Sequence, residues 1–158
     1  MILDIGCGAG QDWSVQINRD DVIHADLERG YDHLEVVCDM QHLPFRDGAF
    51  THLHASHILE HIPHPVTALQ ECRRVAEHCV FKVPTLNRQR YHSRESQEHL
   101  YSWSISTFKH LLHLVFDHVS ITETWIQRLH TPLFESTIRF LVQVVTGEGH
   151  TELVARCR

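Results

Sequence analysis

Apolar pulses recur along the chain at intervals that alternate between strand and helix spacing. Residues 1–5 are apolar except for Asp4 and run directly into Gly6, Gly8 and Gly10, which predicts a buried strand and then a tight loop. Residues 11–18 suit a short helix, and residues 21–26 and 34–39 read as second and third strands, each ending in an acid, Asp26 and Asp39. Residues 51–56 give a fourth strand, though a polar one, and a helix is predicted to begin within residues 57–62. A second helix follows Pro65, where proline suits the first turn and Val66, Leu69, Cys72 and Val75 or Ala76 form a stripe. Residues 79–83 form a fifth strand stopped by Pro84. Residues 85–99 are polar and aperiodic, a long loop of the kind that often carries function. Ser104 or Ser106 then caps a helix through Leu114, with Phe108, Leu111, Leu112 and Val115 on its apolar face. Residues 118–125 alternate as a sixth strand, residues 132–145 suit a further helix, and residues 151–157 a final strand after the Gly147-Glu148-Gly149 turn.

This alternation predicts an α/β protein with a mostly parallel sheet covered by helices on both faces. Ligands of such sheets bind outside the carboxyl ends of the strands, so Asp4, Asp26 and Asp39 would converge on one edge. A length of 158 residues with 42% hydrophobic content fits one domain, residues 1–158, without repeat or linker. The formal charge of -6 gives no electrostatic footprint for non-specific nucleic-acid binding, although a local basic patch stays open. No apolar run approaches the roughly 18 residues that span a bilayer, so no membrane segment is expected. The five cysteines are scattered, with no C-x-x-C pair and no signal peptide, and read as reduced thiols of a cytoplasmic protein. The 16 histidines form no tract and read mainly as exposed polar positions.

The glycine loop narrows the chemistry. Its G-x-G-x-G spacing lacks the third position of the dinucleotide fingerprint, and no lysine follows as in a phosphate-binding loop, while an ordinary turn would also accept these glycines. The run from Asp4 to Gly10 resembles motif I of class I methyltransferases that use S-adenosylmethionine, a cofactor with an amino-acid tail, a cationic sulfonium and no phosphate. Two further runs resemble the methyltransferase type 11 (UbiE/COQ5-like) group. One is Asp39-Met40-Gln41-His42-Leu43-Pro44-Phe45-Arg46-Asp47-Gly48-Ala49-Phe50, the other His57-Ile58-Leu59-Glu60-His61-Ile62. Beyond residue 83 only Glu98-His99-Leu100-Tyr101-Ser102-Trp103 and the strand pattern are similar.

The resemblance implies a Rossmann-like sheet of order 3-2-1-4-5-7-6 with an antiparallel seventh strand, residues 1–83 forming the cofactor half and 84–158 the substrate half. It also implies that S-adenosylmethionine lies against Asp4, Gly6, Cys7, Gly8, Gly10 and Ser56. Asp26 would accept from both ribose hydroxyls, Leu27 would cover the adenine, Asp39 would accept from the adenine amine and Met40 would add apolar contact. The chain departs from the group in two ways: it starts inside the first strand, so the usual preceding helix is expected to be missing from a minimal form or fragment, and the crossover between Asp26 and Asp39 is too short for a full helix.

Methyl transfer to a small-molecule oxygen, nitrogen or carbon acceptor follows as the expected activity, releasing S-adenosylhomocysteine. His57 and His61, after the fourth strand, are the candidate general bases, because imidazole titrates near neutrality; either could also serve only to hold its loop. Arg88, Arg90 and Arg94 could meet an anionic acceptor or form a solvated face. His57, Glu60 and His61 also spell H-x-x-E-H, the zinc motif of inverted zincin peptidases, with Glu135 available as a third ligand. A fold of the methyltransferase type leaves little room for a peptidase scaffold, and no metal is expected. A non-catalytic cofactor- or partner-binding module is the alternative of a different class, and a homodimer is compatible with missing cover on the sheet.

Overall fold

The computed structural model describes residues 1–9, 21–85, 99–126 and 150–158. Four strands, β1 (Ile2–Ile5), β2 (Val22–Asp26), β3 (Val36–Val37) and β4 (Phe50–Ser56), pair in parallel with β1 between β2 and β4. Helix α1 (Pro65–Val75) leads into β5 (Ala76–Pro84), parallel to β4, and helix α2 (Ile105–His113) precedes β6 (Val119–Ile126) and β7 (His150–Cys157). β7 inserts antiparallel between β5 and β6, giving the seven-stranded order β3-β2-β1-β4-β5-β7-β6 that the resemblance implies.

Each central strand is buried because helices or loops cover both faces, so its side chains cannot simply alternate between core and water. Leu3, Ile5, Leu53, Phe81 and Leu153 are exposed by no more than 1% and join one cluster with Leu69 of α1 and Phe108 and Leu112 of α2. Polarity in β4 has a specific explanation. The register sets Asp4 of β1 opposite His24 of β2 and His54 of β4. Its carboxylate meets His24 Nδ1 at 3.2 Å and His54 Nδ1 at 2.9 Å, a buried polar row across the middle of the sheet. Two histidines expected on the surface are therefore core residues, 4% and 1% exposed.

Pro65 opens α1 where its missing N–H matters least, and Ala68, Leu69, Cys72 and Val75 form the buried stripe. Fully burying a leucine such as Leu69 contributes roughly 1.5–3 kcal/mol. The helix ends without a loop: the Ala76 N–H donates to the Cys72 carbonyl as the chain turns extended, so β5 begins three residues before the predicted 79–83. Ser104 caps α2 through a reciprocal box with Thr107, as one of the two predicted serines should. Between β2 and β3 no helix forms; instead Glu35 N–H donates to the His24 carbonyl at 3.0 Å and Cys38 N–H to the Asp26 carbonyl at 2.9 Å. The predicted helix at residues 57–62 is corrected to hydrogen-bonded turns, because His57 has a left-handed φ of 53° that a right-handed helix cannot contain. The predicted helices at 11–18 and 132–145, the Gly147-Glu148-Gly149 turn and Arg88, Arg90 and Arg94 lie outside the described residues. Among the described residues no helix is long and apolar enough to cross a membrane.

Candidate active site

Parallel pairing brings the carboxyl ends of β1 to β4 to a single edge, where the glycine loop meets the acids of its neighbours. Gly6 N–H donates to the Ala25 carbonyl at 2.8 Å, carrying the chain across the end of β2. Gly8 N–H then donates to Asp26 Oδ2 at 2.8 Å, while Glu28 N–H reaches Asp26 Oδ1 at 2.9 Å. Each carboxylate oxygen has a second lone pair, so Asp26 both braces the loop and can accept from ligand hydroxyls. Gly6 and Gly8 sit at φ 74° and 49°, in the left-handed region that favours glycine. Beside them Leu27 is 67% exposed, an apolar platform at the same edge.

The remaining residues fall into three groups. Asp39 holds the end of β3 by accepting from Gln41 N at 2.8 Å and from the Gln41 side chain. Ser56 is half-buried at the end of β4, next to His57. Asp4, expected to face the cofactor, has both oxygens engaged by His24 and His54 and lies 3% exposed; it acts from beneath the loop. Met40, expected beside the adenine, is 2% exposed and belongs to the core cluster. Gly10 lies outside the described residues. Cys7 is buried within the loop, and its thiol is pushed up to about 12, first by burial and then by the Asp26 and Asp4 carboxylates. It is a packing group and not a nucleophile at neutral pH.

An arginine absent from the predicted set fixes the segment that follows β3. Arg74, in the last turn of α1, donates to the Phe45 carbonyl at 2.7 Å and the Leu43 carbonyl at 2.9 Å. It also clasps Glu71 in a two-pronged pair, 2.8 and 2.7 Å, and reaches Asp47 at 2.9 Å. Glu71 in turn accepts from Leu43 N at 2.9 Å. The Leu43-Pro44-Phe45 run is thus held by its backbone. Arginine and glutamate three apart on a helix was the available signal.

The turn after β4 forms the other wall. Ile58 presses against Gly6, whose absent Cβ would stand 2.6 Å from Ile58 Cδ1. His57 remains outward, its ring 42% exposed and its Nδ1 3.4 Å from Oε1 of the fully buried Glu60. The backbone carbonyl of Glu60 receives the N–H groups of Leu100 and Tyr101 at 2.8 and 3.2 Å, and Tyr101 Oη–H donates to the Pro63 carbonyl at 2.9 Å. These bonds draw His99 against His61, ring centroids 4.7 Å apart. His57 and His61 therefore do not share a helical face, and the peptidase-like arrangement of H-x-x-E-H is not formed. A concavity of about 500 Å³ lined by His78, His113 and Asp117 opens at the opposite edge of the sheet, away from these groups.

Residues 3–78 match a family model described as a methyltransferase domain. No curated protein sequence matches the chain. Solved structures similar to it include a methyltransferase from Haloferax volcanii in complex with the Trm112 methyltransferase activator, at TM-score 0.70 and 20% identity, covering 99% of this chain and 81% of that one. An S-adenosylmethionine-dependent methyltransferase from Thermotoga maritima aligns at TM-score 0.68 and 13% identity, over 99% and 80% of the two chains. Phosphoethanolamine N-methyltransferase 2 of Haemonchus contortus, solved with S-adenosyl-L-methionine, aligns at TM-score 0.66 and 14% identity; the chain spans 47% of its length. Residues 3–78 thus match a methyltransferase domain, and the chain as a whole shares the fold and sheet order of these solved methyltransferases.

Proposed function

We propose that the chain binds S-adenosylmethionine at the edge formed by β1 to β4 and transfers its methyl group to a small-molecule acceptor, residues 1–158 acting as a single domain. The observation that carries this reading is the geometry of Asp26: it is tied to the Gly8 amide, with Leu27 exposed beside it. A carboxylate so placed accepts from a vicinal diol while the platform covers a flat base, which suits a nucleoside without phosphates. Gly6, Cys7 and Gly8 supply backbone along the amino-acid tail, and Asp39 and Ser56 border the adenine and methionine ends.

Transfer is an in-line displacement. The acceptor's electron pair forms the new bond to the methyl carbon as the carbon–sulfur bond breaks, and that pair stays on sulfur to give S-adenosylhomocysteine. The protein's part is alignment and exclusion of water. His57, with its accessible ring at the end of β4, is the base for an acceptor that must lose a proton.

Calorimetry with S-adenosylmethionine and S-adenosylhomocysteine tests the reading. Wild type should bind both, and Asp26→Ala should bind at least tenfold more weakly, the order expected for losing a charge-assisted hydrogen bond. No binding by wild type refutes the proposal. Binding without S-adenosylhomocysteine release across hydroxyl, amine and carbon acceptors would favour a non-catalytic module.

A further inference from the structure

Glu60 is a glutamate on which the loop geometry converges, yet its carboxylate has no hydrogen-bond donor. It is 0% exposed and both oxygens are without a hydrogen-bond partner, with His57 Nδ1 at an ion-pair distance of 3.4 Å from Oε1. Burying such a group is strongly unfavourable unless a positive partner joins it. Around it stand two imidazoles: one ligand atom from each of Glu60, His61 and His99 lies within 4.8 Å of the other two. The rings of His61 and His99 are nearly perpendicular, at 81°, which lets a nitrogen from each approach a common point without stacking.

The fold builds this cluster from two distant segments. The left-handed turn at His57 and the His61 N–H bond to the Ile58 carbonyl, at 2.9 Å, place Glu60 and His61 on a tight loop. Residues 99–103 are then pinned to that loop through the Glu60 carbonyl and Pro63, and Trp103 is anchored beside Thr85. None of these bonds uses the Glu60 carboxylate.

We propose that Glu60, His61 and His99 bind one divalent transition-metal ion, zinc being the best match to two imidazoles and a carboxylate. Ligands about 2.0–2.2 Å from one ion lie at most about 4.4 Å apart, so the observed spread closes with small side-chain shifts. Three protein ligands leave at least one position for water or an acceptor oxygen. Ile58 of the same turn touches Gly6, so the turn that carries Glu60 and His61 also meets the glycine loop. On the methyl-transfer reading it would orient the acceptor and leave His57, not His61, as the base; binding of the ion itself does not depend on that reading. The ligand set differs from the H-x-x-E-H assignment, His99 taking the place of His57.

The test is zinc calorimetry on the full chain after chelator treatment, with cobalt absorption spectra as a second reading of imidazole coordination. One equivalent should bind per chain. Glu60→Gln and His99→Ala should each weaken binding at least tenfold with unchanged circular dichroism. His99 lies outside the core cluster, so it decides the matter even if Glu60→Gln fails to fold. Adventitious binding by other histidines is controlled by the double variant His52→Ala/His78→Ala, which removes a pair of rings 5.2 Å apart on β4 and β5 and should leave the affinity unchanged. Absence of saturable binding, retention of full affinity in both site variants, or loss in the control would overturn the proposal. Cofactor calorimetry is run separately, so failure of one reading does not obscure the other.

Discussion

Replacing Gly6 by alanine should incur two penalties that can be separated by experiment. The first is backbone strain: φ is 74°, and an L-residue held in the left-handed region costs roughly 1–2 kcal/mol. The second is steric. The new Cβ would lie 2.6 Å from Ile58 Cδ1 and 3.1 Å from Ile58 Cβ, and overpacking of this kind costs about 1–3 kcal/mol. Gly6→Ala is thus expected to destabilise the fold by about 2–5 kcal/mol. Gly8 supplies the internal control, because its φ is 49° but a Cβ there meets nothing within 4 Å. Gly8→Ala should show only the strain, about 1–2 kcal/mol. Urea unfolding followed by circular dichroism measures both. Ile58→Ala in the Gly6→Ala background removes the Cδ1 contact while leaving the 3.1 Å approach to Cβ, so rescue should be partial, with a coupling of about 0.5–2 kcal/mol in a double-mutant cycle. Equal losses at the two glycines, or strict additivity with Ile58→Ala, would refute the assigned contact between glycine loop and turn.

Two further expectations concern the frame. Arg74→Ala should cost at least about 3 kcal/mol at neutral pH, from two lost charge-assisted bonds to the Leu43 and Phe45 carbonyls, at about 1.5 kcal/mol or more each, and a discounted contribution from the partly solvated Glu71 pair. Arg74 holds the Glu71 carboxyl below its ordinary 4.5 against the opposing effect of burial, with further help from the Leu43 N–H. That stabilisation is complete above the ordinary value and is lost as pH falls through the lowered one, so the gap between wild type and variant should narrow below about pH 4.5 in acid unfolding curves; a constant gap would contradict the pairing. All five cysteines are free and buried, with Cys38 pushed up to about 11 and Cys157 to about 12, chiefly by burial. A thiol reagent at pH 7.5 should therefore modify native protein slowly and denatured protein completely, whereas rapid native labelling of Cys7 would show the loop to be open.

The alternation of short apolar runs closed by an acid or a turn made an α/β sheet legible, while the strand order followed from the resemblance of the Asp4–Gly10, Asp39–Phe50 and His57–Ile62 runs to the methyltransferase group. The errors have local causes. His57 looks helical in sequence because nothing in a non-glycine residue announces φ 53°; the surrounding turn imposes it. Met40, which the resemblance puts beside the adenine, is drawn to the core side by the Asx turn that Asp39 forms with Gln41. His24 and His54 resembled surface histidines because their partner, Asp4, lies 20 and 50 residues away and becomes adjacent only through the register. The same is true of His99, which joins Glu60 and His61 through backbone bonds from Leu100 and Tyr101. Local pattern shows which residues form a strand; it does not show which polar groups the assembled sheet sets side by side.

These distant pairings place two different demands on one loop. Asp26 and Ala25 hold the glycine loop from the side of β2, while Ile58 fills the space left by the missing Gly6 Cβ from the side of β4. Ile58 is followed, two residues on, by Glu60, whose backbone carries residues 100 and 101 and whose carboxylate lacks a hydrogen-bond partner. A displacement of the glycine loop toward β4 therefore meets the Ile58 side chain, whose own backbone carbonyl accepts from His61 N–H at 2.9 Å. The residue that borders the glycine loop and the residues that space Glu60, His61 and His99 thus belong to one short turn. If each site binds its ligand, thermodynamic reciprocity requires any effect of the nucleoside on affinity for the ion to be matched by an equal effect of the ion on the nucleoside.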